Sequence, residues 1–118
     1  MIFQTQTLSF KQEMLQAVHN LLTDTIKLAL YTSTATLNED TTAYSATNET
    51  SGTGYSAGGI VLTGATINTS NNVVYVSFNN AVWSPASFTT AGGLIYNASK
   101  SNKSIAVLSF GGDKTATN

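Results

Sequence analysis

Lys27 to Gly59 reads KLALYTSTATLNEDTTAYSATNETSGTGYSAGG. Ile26 to Tyr31 is a short apolar segment whose loose alternation suits a strand buried on both faces. It opens onto a long loop, residues 32–58, rich in Thr, Ser and Asn. That loop condenses into GTGYSAGG, Gly52 to Gly59, before the apolar run Ile60 to Leu62. Nothing in the segment pairs a nucleophile with a base, clusters metal ligands or cradles a phosphate. A weakly charged arm fixed at both ends to a β scaffold makes contacts. The segment therefore predicts a structural or binding protein, not an enzyme.

Composition agrees. The chain has 118 residues, enough for a single domain with one modest core. Hydrophobic residues make up 42%, which argues against wholesale disorder. Charged residues are only 9%, against about 25% in an ordinary soluble domain. Such a surface meets another protein with little ion desolvation. The net charge is −1 and all positive residues are Lys, so there is no guanidinium fork for phosphate or guanine. Lys100 and Lys103 alone read as a solvated turn, which predicts no direct nucleic-acid binding. The absence of Cys excludes a disulfide framework, a thiol nucleophile and a Cys-based zinc site. No apolar run approaches the roughly 18 residues of a membrane span. The N-terminal MIFQTQTLSFKQ lacks the basic and apolar regions of a signal peptide.

Along the chain, an arm (1–8) precedes one helix (9–22) and a β domain (26–112), with a polar tail (113–118). Ser9 and Gln12 are placed as a capping box, and Phe10, Met14, Val18, Leu21 and Leu22 recur at helical spacing. Strands are expected at Ile26–Tyr31, Ile60–Leu62, Ala65–Asn68, Val73–Phe78, Ala81–Trp83, Gly93–Asn97 and Ile105–Phe110. Thr69 to Asn72 reads as a hairpin turn. Pro85 ends any strand at Ala81–Trp83. Six or seven short strands at this spacing predict a mainly β fold with one N-terminal helix, an antiparallel β-sandwich or partly open barrel.

Chemistry is scarce. Glu39, Asp40 and Glu49 match no calcium-loop spacing and read as solvated acids. His19 is the only His and reads as a capping or surface residue near the helix C-terminus. Gly52, Gly54, Gly58 and Gly59 lack the nucleotide-loop spacing and a following helix. They read instead as positions of positive φ and close backbone approach. The sequons at Asn48, Asn68, Asn97 and Asn102 match about the number chance gives and do not argue for secretion. Tyr31, Tyr44, Tyr55, Tyr75 and Trp83 could form a carbohydrate-stacking platform, but read first as core and interface anchors.

Several segments together carry a resemblance. They are Phe10 to Glu13, Lys27 to Ser33, Ser51 to Tyr55 leading into Ala57 to Gly59, Gly93 to Asn97, Ser99 to Lys103, Ala106 to Leu108 and Phe110 to Lys114. In this order, over residues 8–114, the chain resembles a family of small virion structural proteins of tailed bacteriophages. The resemblance implies a capsid decoration or cement protein, a homo-oligomer or present in many copies, contacting the major capsid protein or other virion proteins. A neck or tail component is the alternative, and a carbohydrate-binding module for host attachment ranks below it. It also implies assembly into the virion in the host bacterial cytoplasm, with no cofactor and no membrane. Two departures stand out. Relatives often carry an Arg before the Gly-x-Leu-Ile-Tyr strand, where this chain has Ala91 and Gly92, and many run into a further apolar strand after the Asp-Lys turn. The expected interface residues are Tyr44, Tyr55, Trp83, Gly54, Gly58 and Gly59, with Met1 to Leu8 and the long loop as arms that reach a neighbouring subunit.

Overall fold

The computed structural model describes residues 1–83 and 85–116. Its elements are β1 (Thr5–Gln6), α1 (Leu8–Leu15), β2 (Ile26–Tyr31), β3 (Ile60–Val61), β4 (Thr66–Ser70), β5 (Val73–Ser77), β6 (Phe88–Asn97) and β7 (Lys103–Ala116). A five-stranded sheet in the order β1-β7-β6-β2-β3 and a two-stranded β4-β5 sheet are antiparallel throughout, and they do not close into a barrel. The expected class is the observed one: mainly β, with one short helix near the N-terminus.

β2 shows why its alternation is weak. Leu28 and Leu30 face one side of the sheet and pack with Ala86 and Phe88. Ala29 and Tyr31 face the other and join Ala35, Leu37, Leu94, Tyr96 and Val107. A strand covered on both faces has no polar side to display. Each large apolar side chain so removed from water contributes roughly 1.5–3 kcal/mol. A third cluster, Phe10, Ile26 and Ile105, seats the helix against β2 and β7.

Several expectations on boundaries are corrected. The helix starts at Leu8, and its cap lies two residues before the expected Ser9. Thr7 is the cap, and its hydroxyl accepts from the Phe10 N–H. Thr7 is buried and also bonded to Ser104, so tertiary contacts hold it where a cap is needed. The helix ends at Leu15, well short of Leu22. There Ala17 adopts φ 58°, the Ala17 N–H donates to Met14 O, and the Val18 N–H donates to Glu13 O. This is a Schellman stop made without glycine. Ala81 to Trp83 is irregular rather than a strand, because its Trp83 side chain packs down onto Tyr55 and Phe88. β6 and β7 are longer than expected, and β7 takes in Asp113 to Ala116 of the supposed tail. Thr117 and Asn118 lie outside the described residues.

Met1 to Leu8 is not a free arm. The Met1 amino group donates to Ala35 O and Ile2 bridges Leu37, while Thr5 and Gln6 pair with β7.

Candidate functional site

The long loop is fastened to its own scaffold rather than projecting from it. Ala43 bridges Lys103, Glu49 bridges Tyr31 and Thr53 bridges Ser87. Because β3 pairs only with Lys27 and Leu28, the edge of β2 beyond it needs other partners. The loop supplies them. The Thr50 N–H donates to Leu30 O at 2.8 Å, and the Leu30 N–H donates to the Tyr55 hydroxyl at 2.9 Å. A paired strand edge no longer invites pairing with other chains.

At the centre of this fastening lies Glu49. Its Oε1 accepts from the Tyr44 hydroxyl at 2.6 Å. Its Oε2 accepts from the Tyr55 hydroxyl and from the Gly58 N–H, the latter at 2.8 Å. The Tyr96 hydroxyl donates to Gly58 O at 2.5 Å, and the Tyr44 and Tyr96 rings stack with centroids 4.8 Å apart. Burial and the adjacent Glu49 charge hold the Tyr44 and Tyr55 phenols well above the ordinary range. Burial does the same to Tyr96 and pushes Tyr31 up to about 12. Phenols so placed donate hydrogen bonds and stay protonated.

The six expected interface residues divide accordingly. Tyr44, Tyr55 and Gly58 meet around Glu49. Tyr55 also contacts Trp83 and Phe88, with centroids 6.3 and 5.7 Å away. Gly54 and Gly59 are close-approach points with φ of 89° and 83°. A Cβ would sit 1.9 Å from Pro85 O at Gly54 and 1.8 Å from Leu28 O at Gly59. All six thus serve intramolecular packing. Sequence reasoning missed Glu49, because the signal, one acid between Tyr44 and Tyr55 on a polar loop, looks like any solvated carboxylate.

A second polar network surrounds His19, which is buried rather than at the surface. Its Nε2 lies 2.8 Å from Glu13 Oε1 and its Nδ1 lies 2.9 Å from Asn97 Nδ2. Since an amide nitrogen only donates, Nδ1 accepts and Nε2–H donates to Glu13. Asn97 Nδ2 also donates to Asp24 at 2.8 Å, and its Oδ1 accepts from the Ser99 N–H at 3.0 Å. Backbone and side-chain bonds from Asn20 and Asn97 hold the Asp24 carboxyl below its ordinary range. The network joins the residues after α1 to the β6–β7 turn and presents no nucleophile. Among the described residues, no group of three or more His, Asp or Glu side chains converges as metal ligands would.

Several exposed apolar side chains gather on the β4–β5 hairpin. Ile67, Val73, Val74 and Tyr75 are 46, 57, 69 and 48% exposed. Beneath it lies an apolar cleft of about 450 Å³, bounded by Phe10 and Met14 of α1, Ile95 and Ile105 of the large sheet, and Val74 and Phe78. Every residue from Thr50 to Ser99 is uncharged, so neither the hairpin nor its connections carry an ion.

Comparison with protein-family models, with curated proteins and with solved structures finds no match for this chain.

Proposed function

We propose that this protein is a non-enzymatic structural component of a bacteriophage virion, a decoration or cement protein that stabilises the head through subunit contacts. The observation that carries the reading is the uncharged Thr50–Ser99 span, with its exposed apolar hairpin set over an apolar cleft. A group of exposed apolar side chains set over an apolar cleft supports a place where another surface docks. The ordered resemblance over residues 8–114 supplies the virion setting. Mechanically, a cement protein works by area. Many copies each bury about 1,000 to 2,000 Å² against the shell, and symmetry repeats every contact. The contact surface is the hairpin and cleft, since the long loop and the N-terminal segment are tied to their own sheet.

Copy number in purified particles tests the proposal. Quantitative mass spectrometry should find the chain in numbers comparable to the shell subunits. The number of a single ring would move it to the neck or tail, and absence from particles would overturn the reading.

A further inference from the structure

We infer that the free edge of β5 is a self-pairing surface, through which two copies of this chain join β5 to β5 in an antiparallel, two-fold arrangement. This names a partner for the assembly reading above and rests on it for its setting.

The backbone supplies the first argument. Asn71 and Asn72 have φ of 51° and 66°, the pattern of a two-residue type I′ turn. In such a hairpin the residues flanking the turn, Ser70 and Val73, form a hydrogen-bonded pair, and hydrogen-bonded pairs alternate along the ladder. Tyr75 therefore bonds to Asn68, while the N–H and C=O groups of Val74 and Val76 point out of β5 away from β4. Among the described residues no group bonds to them. An outward row of unpaired donors and acceptors in an extended strand is a template for another strand.

The side chains supply the second. Natural edges are blunted by Lys, Pro or a bulge, and β5 has none of these over VVYVS. Its register with β4 is continuous from Val73 to Ser77. The third argument identifies the occupant. A two-fold axis brings each surface against itself, so a charge near the axis would meet its own like. The nearest charged residues in sequence, Glu49 and Lys100, bracket the whole hairpin from outside. Placing the axis at Tyr75 pairs Val74 with the partner's Val76, which matches the outward groups on both chains. It also pairs Val73 with the partner's Ser77 and leaves no β5 residue unpaired. Tyr75 then faces the partner's Tyr75 across a non-hydrogen-bonded site, where cross-strand side chains come closest. The result is a four-stranded sheet, which relieves the weakness of an isolated two-stranded hairpin.

Five residues of pairing bury less than the roughly 800 Å² per partner of a standard interface, so the free dimer is weak, with Kd between about micromolar and millimolar. Trapping suits such a contact, and the chain has no Cys to interfere. Tyr75→Cys should form a disulfide dimer under mild oxidation at least about tenfold faster than Thr69→Cys, an exposed position on the opposite edge. Adding Val74→Pro removes an outward N–H without touching the β4 ladder, and Val74→Lys adds an edge charge. Both should abolish the fast trapping while circular dichroism stays unchanged. Equal rates for Tyr75→Cys and Thr69→Cys, or trapping that survives both Val74 changes, would overturn the pairing. Sedimentation of the unaltered chain should show a concentration-dependent dimer, and a strict monomer at about 1 mM would also count against it. A chain found in particles but untrapped at Tyr75 sinks this inference alone. A trapped dimer absent from particles sinks the virion reading alone.

Discussion

The Glu49 carboxylate is shared by two phenols, with the Tyr44 hydroxyl donating to Oε1 at 2.6 Å and the Tyr55 hydroxyl donating to Oε2. One charge thereby ties residues 44, 55 and 58 together and, through Tyr55, holds the Leu30 N–H of β2. Removing it leaves three donors without an acceptor at once. Glu49→Ala should cost about 3 kcal/mol, since hydrogen bonds to charged groups are worth roughly 1.5–3 kcal/mol each and partly recover in water. Urea unfolding at constant slope measures the loss. A change below about 1 kcal/mol would show that the loop is held by its apolar contacts instead.

The same arrangement sets the alkaline limit of the fold. The folded-state values of Tyr31, Tyr44, Tyr55 and Tyr96 all lie above the unfolded value near 10. The protonated phenols therefore contribute stability that is fully present below pH 10. It declines as the unfolded chain ionises and the folded one does not, with Tyr31 following only near 12. Urea midpoints should hold steady to about pH 9.5 and then fall steeply. Phenolate absorbance from these tyrosines should appear together with loss of circular dichroism, and ionisation well before unfolding would contradict the assignment.

Ala17 carries a penalty that glycine would lift. Its φ of 58° places an alanine in the left-handed region at the helix stop, where a Cβ costs roughly 1–2 kcal/mol. Ala17 is exposed, so little packing is lost with the methyl group. Part of the gain is offset by the greater freedom of glycine in the unfolded chain. Ala17→Gly should raise stability by about 0.5–1 kcal/mol. A lower melting temperature in calorimetry would refute the local account.

Ala17 also shows why the helix was legible only in part. Phe10 and Met14 announce the helical face. Val18, Leu21 and Leu22 continue the same spacing on an irregular segment, and periodicity alone cannot see a chain reversal paid for in left-handed backbone at an alanine. β2 could be read to its limits because Ile26 to Tyr31 is apolar but for Lys27 and is bounded by Thr25 and Thr32. The β4–β5 hairpin was legible from the polar Thr69 to Asn72 stretch, of which only Asn71 and Asn72 form the turn, Thr69 and Ser70 belonging to β4. The candidate site was legible as composition, while the internal contacts of its tyrosines were not. Tyr44 and Tyr55 look the same in sequence whether they anchor a neighbour or a loop, and what decides is an acceptor, Glu49, whose burial depends on the tertiary fold. Replacing both tyrosines by Ala would therefore report on the stability of the fold before it reported on any partner.

Asn97 offers an isosteric test of the second network. It is fully buried, and its amide orientation is set from both ends. The Ser99 N–H reaches Oδ1 at 3.0 Å, while Nδ2 donates to Asp24 at 2.8 Å and to His19 at 2.9 Å. Asn97→Asp keeps the shape but sets an oxygen against the Asp24 carboxylate and against the accepting nitrogen of His19. Two carboxylates at this distance cannot both ionise without penalty. The substitution should cost about 3 kcal/mol at pH 7, in line with a broken buried network. The new carboxyl would have a folded value above its unfolded one, so its cost is absent at low pH and grows as pH rises. In the unaltered chain the lowered Asp24 carboxyl acts in the opposite sense. Its contribution is present above its ordinary value of 3.8 and is lost as pH falls through the folded value. The stability curves of the two chains should therefore converge towards acid pH. A constant gap between them from pH 3 to pH 7 would mean that Asn97 acts by packing alone, and equal stability at pH 7 would remove the network from the account of the fold.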